Sequence, residues 1–144
     1  MSKVYLAMYK AKGNWVDKVI RLFTGKPYSH CELAVANGDK YLCYSSSPRD
    51  GGVRVKTMRL PTDKWDLIPV HTDSDIVDFF QRTGGKKYDF IGAIGCVLPV
   101  RQKASRYYCS EWCYEAIWGV APKKALSPNK LAELIKGGFT SHKV

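Results

Sequence analysis

Residues 28–47 read YSHCELAVANGDKYLCYSSS, two β-rich runs on either side of Asn37-Gly38. Asn-Gly between alternating apolar residues is a strong hairpin signal. With those two residues as the loop, Ala36 pairs with Asp39, Glu32 faces Cys43 and His30 faces Ser45. Period-two alternation puts Cys31, Leu33 and Val35 on one face and His30, Glu32, Ala34 and Ala36 on the other. The second face joins two polar groups to very small residues, so a bulky element such as a helix can approach it closely. A carboxylate there is costly to bury alone, so Glu32 sits either in a wet cleft or against a fixed partner.

Working outward, Val4 to Tyr9 alternates as a strand, and Gly13-Asn14 breaks the chain before a helix over residues 15–23, whose apolar positions recur at helical spacing. Downstream of the hairpin, VRVKTMRL (53–60) and WDLIPVH (65–71) alternate and predict two further strands of an antiparallel meander. Asp73, Asp75 and Asp78 open a helix over residues 73–83, where acids suit the positive end of the dipole, and Gly84-Gly85 stops it. Residues 87–99, KYDFIGAIGCVLP, predict a short buried helix capped by Asp89 and ended by Pro99. Helical spacing returns over residues 109–118 until Gly119, with Cys109, Cys113, Ala116 and Ile117 on one stripe. A last helix opens at Ser127-Pro128 and closes at Gly137-Gly138. The expected class is α+β, one domain over residues 1–144 with an antiparallel β-sheet packed against helices.

The net charge of +10 is concentrated at the ends. Residues 1–30 carry six Lys/Arg against one acid and residues 101–144 carry eight against three, while residues 31–100 balance at nine and nine. Such a surface attracts an acidic partner: nucleic acid, anionic lipid headgroups or an anionic cell-wall polymer. No apolar run is long enough for a signal-peptide core or a membrane span, which predicts a chain that is cytoplasmic as synthesised, with no membrane span. Five cysteines in a reducing compartment are buried, metal-bound or catalytic rather than paired in disulfides.

Among those thiols, Cys109 in YYCSEWCYEA (107–116) is the one placed at a helix start, where dipole and imidazole lower a thiol's pKa. Cys113, one turn on, reads as a core residue. Of the three histidines, His142 lies in the basic tail, His71 ends a strand, and His30 sits on the small-residue face. If the Cys109 helix meets that face, thiol and imidazole come together, with Glu32 or Ser45 to orient the ring. The paired two-residue cysteine spacing of zinc knuckles is missing, as are a glycine-rich phosphate loop and a serine elbow, so no metal and no cofactor are expected.

YSHCELAV, KYDFIGAIG, YYCSEWCYEAIWG and the LSPNKL helix together resemble the circularly permuted branch of the NlpC-type papain-like cysteine peptidases, in which the histidine strand precedes the cysteine helix. The resemblance implies a papain-like fold with Cys109 as nucleophile and His30 as its base. Its third polar residue is Glu32, with Ser45 as the alternative; a carboxylate orients an imidazolium better than a hydroxyl does. It also implies an oxyanion held by backbone N–H groups at the start of the Cys109 helix, Ser110 among them, with Tyr107 or Tyr108 as an auxiliary group. The implied reaction is hydrolysis or transfer at an amide or ester through an acyl-thiol. The family's members include peptidoglycan stem peptidases, acyltransferases and lipid-directed enzymes. Size and charge suit a phage or bacterial accessory enzyme acting on a cell-wall amide. The alternative is a catalytically silent scaffold that binds nucleic acid or another polyanion through its basic ends.

Overall fold

The computed structural model describes residues 3–10, 28–47, 50–86, 108–124 and 126–137. The helices expected over residues 15–23 and 87–99, together with Cys96, Tyr107 and His142, lie outside the described residues. Among the described residues five strands form one antiparallel sheet: β1 (Val4–Tyr9), β2 (His30–Asn37), β3 (Lys40–Ser47), β4 (Gly52–Met58) and β5 (Trp65–Val70). Three helices among the described residues accompany it: α1 (Ile76–Thr83), α2 (Cys109–Trp118) and α3 (Pro128–Lys136). The class is α+β. Among the described residues no helix is long and apolar enough to cross a membrane.

The strand order is β4-β3-β2-β1-β5, so the chain is not the simple meander that its alternation suggests. β5 returns to the free edge of β1, where Leu6 pairs with Ile68 and Val4 with Val70, and β4 is left at the opposite edge. Because neighbours are antiparallel, β4 and β5 run in the same direction, and residues 59–64 must carry the chain back across one face. Parallel strands ordinarily need a connection of about a dozen residues or more, so this short link requires a curled sheet. Leu60, from the link, is buried in one cluster with Ala7, Ala34 and Cys43, with Tyr5, Tyr41, Met58, Trp65 and Leu67 around them. The alanines therefore make room for a crossing segment rather than for a helix. This corrects the expectation that the Cys109 helix approaches the His30–Glu32 face.

The helices pack on the other face, where alternation collects Leu6, Met8, Cys31, Leu33, Tyr44, Val53, Ile68 and Val70 into the main core. Apolar area drives that choice: the Cys31-Leu33 stripe removes more hydrocarbon from water against a helix than two alanines can. α2 lies over β2 and β3 between α1 and α3, while α3 also covers β1 and β5. Flanked on both sides and by the sheet beneath, α2 is buried nearly all round, Glu111 included, rather than along the single expected stripe. α1 begins at Ile76 rather than residue 73 because the Asp75 side chain accepts from the Asp78 N–H at 3.0 Å, an N-cap that fixes the start. Ser127 caps α3 by accepting from the Lys130 N–H, with Pro128 in the first turn.

The hairpin loop is Gly38-Asp39, one residue later than expected, with Asn37 paired to Lys40. Gly38 has φ of +64° and among the described residues no non-glycine has positive φ, Asp39 included, the signature of a type II′ turn, which needs glycine at its first central position. The faces are unchanged, because the register moves by two residues: Cys43 lies opposite Ala34, not Glu32.

Candidate active site

The β2–β3 ladder ends at Leu33–Tyr44, whereas β2 stays paired with β1 as far as Tyr9–His30. Beyond Tyr44, β3 continues only with β4, through Ser45–Arg54, Ser46–Val53 and Ser47–Gly52. In place of the ladder, the Ser45 hydroxyl donates to the Cys31 carbonyl at 2.7 Å. The two central strands thus part at the His30 end. At this opening His30, whose alternation assigns it to the face of Glu32 and Ala34, contacts Glu32 on that face and Cys109 from the helix side.

Cys109 is the first residue of α2. Tyr108, fully buried, is the N-cap in extended conformation and provides no side-chain cap, and the first helical bond runs from the Trp112 N–H to the Tyr108 carbonyl at 3.0 Å. The N–H groups of the first turn precede that bond and have no intrahelical acceptor. Ser110 directs its hydroxyl to the Leu126 carbonyl, tying α2 to the approach of α3, so only its backbone N–H remains for an oxyanion. At the histidine side, the Asn129 carboxamide of α3 brackets the Tyr28 backbone, accepting from its N–H at 3.3 Å and donating to its carbonyl at 3.0 Å. The entry into β2 is thereby fixed to the same helix layer that carries Cys109.

Glu32, fully buried, accepts from His30 Nε2 through Oε2. With Nε2 so engaged, Nδ1 is the ring nitrogen left for the thiol. Both carboxylate oxygens are also gripped by Arg54, whose Nη1 donates to Oε1 and whose Nη2 donates to Oε2 at 2.8 Å. Arg54 Nε in turn donates to Asp50 at 2.8 Å, and Lys56 Nζ stands 3.6 Å from the same acid. The fixed partner demanded by a buried Glu32 is therefore Arg54, in the bidentate geometry that guanidinium makes with carboxylate. Ser45, the other candidate for orienting the ring, spends its hydroxyl on backbone carbonyls and is not His30's partner.

These contacts outweigh burial. Burial alone would push the Cys109 thiol up; the Cys31 thiol's hydrogen bond, the charge and hydrogen bond of His30 and the Cys31 backbone bring it down to about 5. Burial would lower His30, but the charges of Cys109 and Glu32 and the hydrogen bonds to both raise it well above its ordinary value. Burial would raise Glu32, and the charge of His30 with the bonds from His30 and Arg54 holds it low. The three directions are those of a thiol, an imidazole and a carboxyl that each favour the charged form through contact with the next. The other thiols go the opposite way. Burial raises Cys31, which also lies 3.8 Å from Cys113 sulfur to sulfur, and burial with the Glu32 charge takes Cys43 to about 12. Among the described residues no group of three or more His, Cys, Asp or Glu side chains is arranged to hold a metal ion.

Cys109, His30 and Glu32 are brought together, Ser110 and Ser45 serve the scaffold, and Tyr108 caps the helix. Sequence reasoning missed Arg54 and the Cys31 thiol. The signal for Arg54 lay in the alternation of VRVKTMRL, which puts Arg54 and Lys56 on one face, as cations available to a buried acid two strands away. Comparison of the chain with protein-family models finds no match, and comparison with curated proteins finds none either.

Proposed function

We propose that this chain is a thiol hydrolase that cleaves or transfers at an amide bond through an acyl-Cys109 intermediate. The observation that carries the reading is the contact of Cys109, at the first position of α2, with a His30 that is itself hydrogen-bonded to buried Glu32. The helix bearing the cysteine, the sheet bearing the histidine and their order in the chain support a papain-like domain of the permuted NlpC type.

In the proposed cycle the Cys109 thiolate attacks the substrate carbonyl carbon, and the carbonyl π electrons move to oxygen. Backbone N–H groups at the start of α2 stabilise that oxyanion, helped by the helix dipole. His30 passes its Nδ1 proton to the leaving amine as the carbon–nitrogen bond breaks, which leaves a thioester and a neutral imidazole. Water then gives a proton to His30 and adds to the thioester; collapse expels the thiolate and releases the acid. Glu32 keeps the ring oriented and the imidazolium stable throughout. Cys109 is fully buried while the His30 side chain keeps 13% exposure, which favours approach from the histidine side. The basic charge and the resemblance together favour a peptidoglycan-type stem amide as substrate class.

The test is chemical and needs no substrate: iodoacetamide labelling of each cysteine from about pH 3.5 to pH 10. Cys109 should label fastest at neutral pH, with a midpoint near 5; slow and uniform labelling of all the cysteines would dismiss the reading. A silent polyanion-binding module has no need of an ionised thiol, so the same profile separates the two.

A further inference from the structure

We propose that Arg54 is a positioning residue of the thiol site, which by its two-pronged grip on Glu32 fixes the oxygen that holds His30 and so holds His30 against Cys109. The inference rests on Cys109 being the nucleophile. Its ground is a row of alternating charge that runs from the molecular surface to the thiol: Asp50, Arg54, Glu32, His30, Cys109. Each member touches the next. Arg54 is the member that contacts both carboxylate oxygens, and it adds a bond to the Cys43 carbonyl at 3.3 Å, which pins the guanidinium to β3.

A carboxylate buried with one partner can rotate about its last torsion and can also take up a proton, since desolvation disfavours the charged form. If Glu32 became neutral, the proton that makes His30 an imidazolium would reside on Glu32, and Cys109 would lose its cationic neighbour. Arg54 opposes both changes, because a fork on two oxygens fixes the plane and the charge together. The other charged and titratable groups around this row do not substitute for it. Asp50 and Lys56 lie on its outer side, Cys43 on β3 beside Glu32, and Tyr9 opposite His30 on β1. Cys31, Cys113 and Glu111 lie on the helix side, and none of these carries a positive charge toward Glu32.

The decisive experiment compares the pH profile of Cys109 alkylation in the wild type, Arg54→Met and Arg54→Lys, with circular dichroism to establish folding. Arg54→Met should raise the midpoint by about one unit or more, which cuts the rate at about pH 5 roughly fivefold. Arg54→Lys keeps the charge and loses the fork, and should move the midpoint in the same direction by less. If Arg54 serves stability alone, both variants melt at lower temperature and keep the wild-type profile, and the proposal is overturned. Should Arg54→Met not fold, Arg54→Lys decides: a wild-type profile refutes positioning and a raised midpoint supports it. A wild-type Cys109 that titrates like an ordinary thiol would instead overturn the nucleophile reading beneath the proposal.

Discussion

Replacing His30 with alanine isolates the contribution of the imidazole to the reactivity of Cys109. With a thiol at about 5, roughly 99% of Cys109 is thiolate at pH 7, against roughly 1% for an unperturbed cysteine near 9. Four contacts bring the thiol down: two come from His30, its charge and its hydrogen bond, and two from Cys31. If the halves count similarly, His30→Ala returns the midpoint to about 7 or above, since the burial penalty remains. At about pH 6 the thiolate fraction then falls about tenfold, and the two proteins converge above pH 9. The assay is the initial rate of carbamidomethylation of the Cys109 peptide, measured by mass spectrometry on protein shown to be folded. Equal midpoints in the two proteins would refute the ion pair, because the thiolate would then owe nothing to the histidine.

Cys31→Ala removes a thiol donor from the same thiolate and should also raise the Cys109 midpoint, readable in the same assay; an unchanged midpoint would assign Cys31 to packing alone. The Glu32 carboxyl, held below its ordinary value, gives stability that is present above about pH 4.5 and lost as pH falls through the folded value. His30, raised, has the opposite sign: its contribution is complete below about pH 6.5 and is lost as pH rises through the folded value. Glu32→Gln should therefore flatten the fall of Tm between about pH 5 and pH 3, measured by differential scanning fluorimetry, and lower Tm at neutral pH by leaving Arg54 and His30 without their anion. Ala34→Leu should cost about 1–3 kcal/mol in urea denaturation, because the added carbons meet the crossing link at Leu60. A neutral result there would mean that the link stands further from the sheet than described.

Much of the fold was legible because alternation and punctuation are local. The bounds of β1 and α2, and the caps at Ser127 and Gly119, follow from residues within a few positions of each other. What escaped was set at longer range. Asn37-Gly38 signals a turn, but glycine as the first central residue gives the loop Gly38-Asp39, and only the backbone angles separate the two. The return of β5 to β1 depends on pairing Leu6 with Ile68 across some sixty residues, which no local period encodes. The face of Glu32 was read correctly and its covering wrongly: small residues announce close approach without saying whether a helix or a crossing strand link arrives. For the site, Cys109, His30 and Glu32 were legible as chemistry, since a thiol at a helix start and a histidine–acid pair on one strand face each have a local mark. Arg54 was not, because its partner lies 22 residues away across a ladder whose register had to be known first.

The proposed chemistry turns on a covalent acyl intermediate at Cys109. Rapid mixing of the protein with a p-nitrophenyl acyl ester, followed by acid quench and peptide mass spectrometry, tests it directly. A burst of nitrophenol approaching one equivalent is expected, with the acyl mass on the Cys109 peptide, and no burst in Cys109→Ala. Turnover without any acyl mass on Cys109, or an undiminished burst in Cys109→Ala, would contradict it.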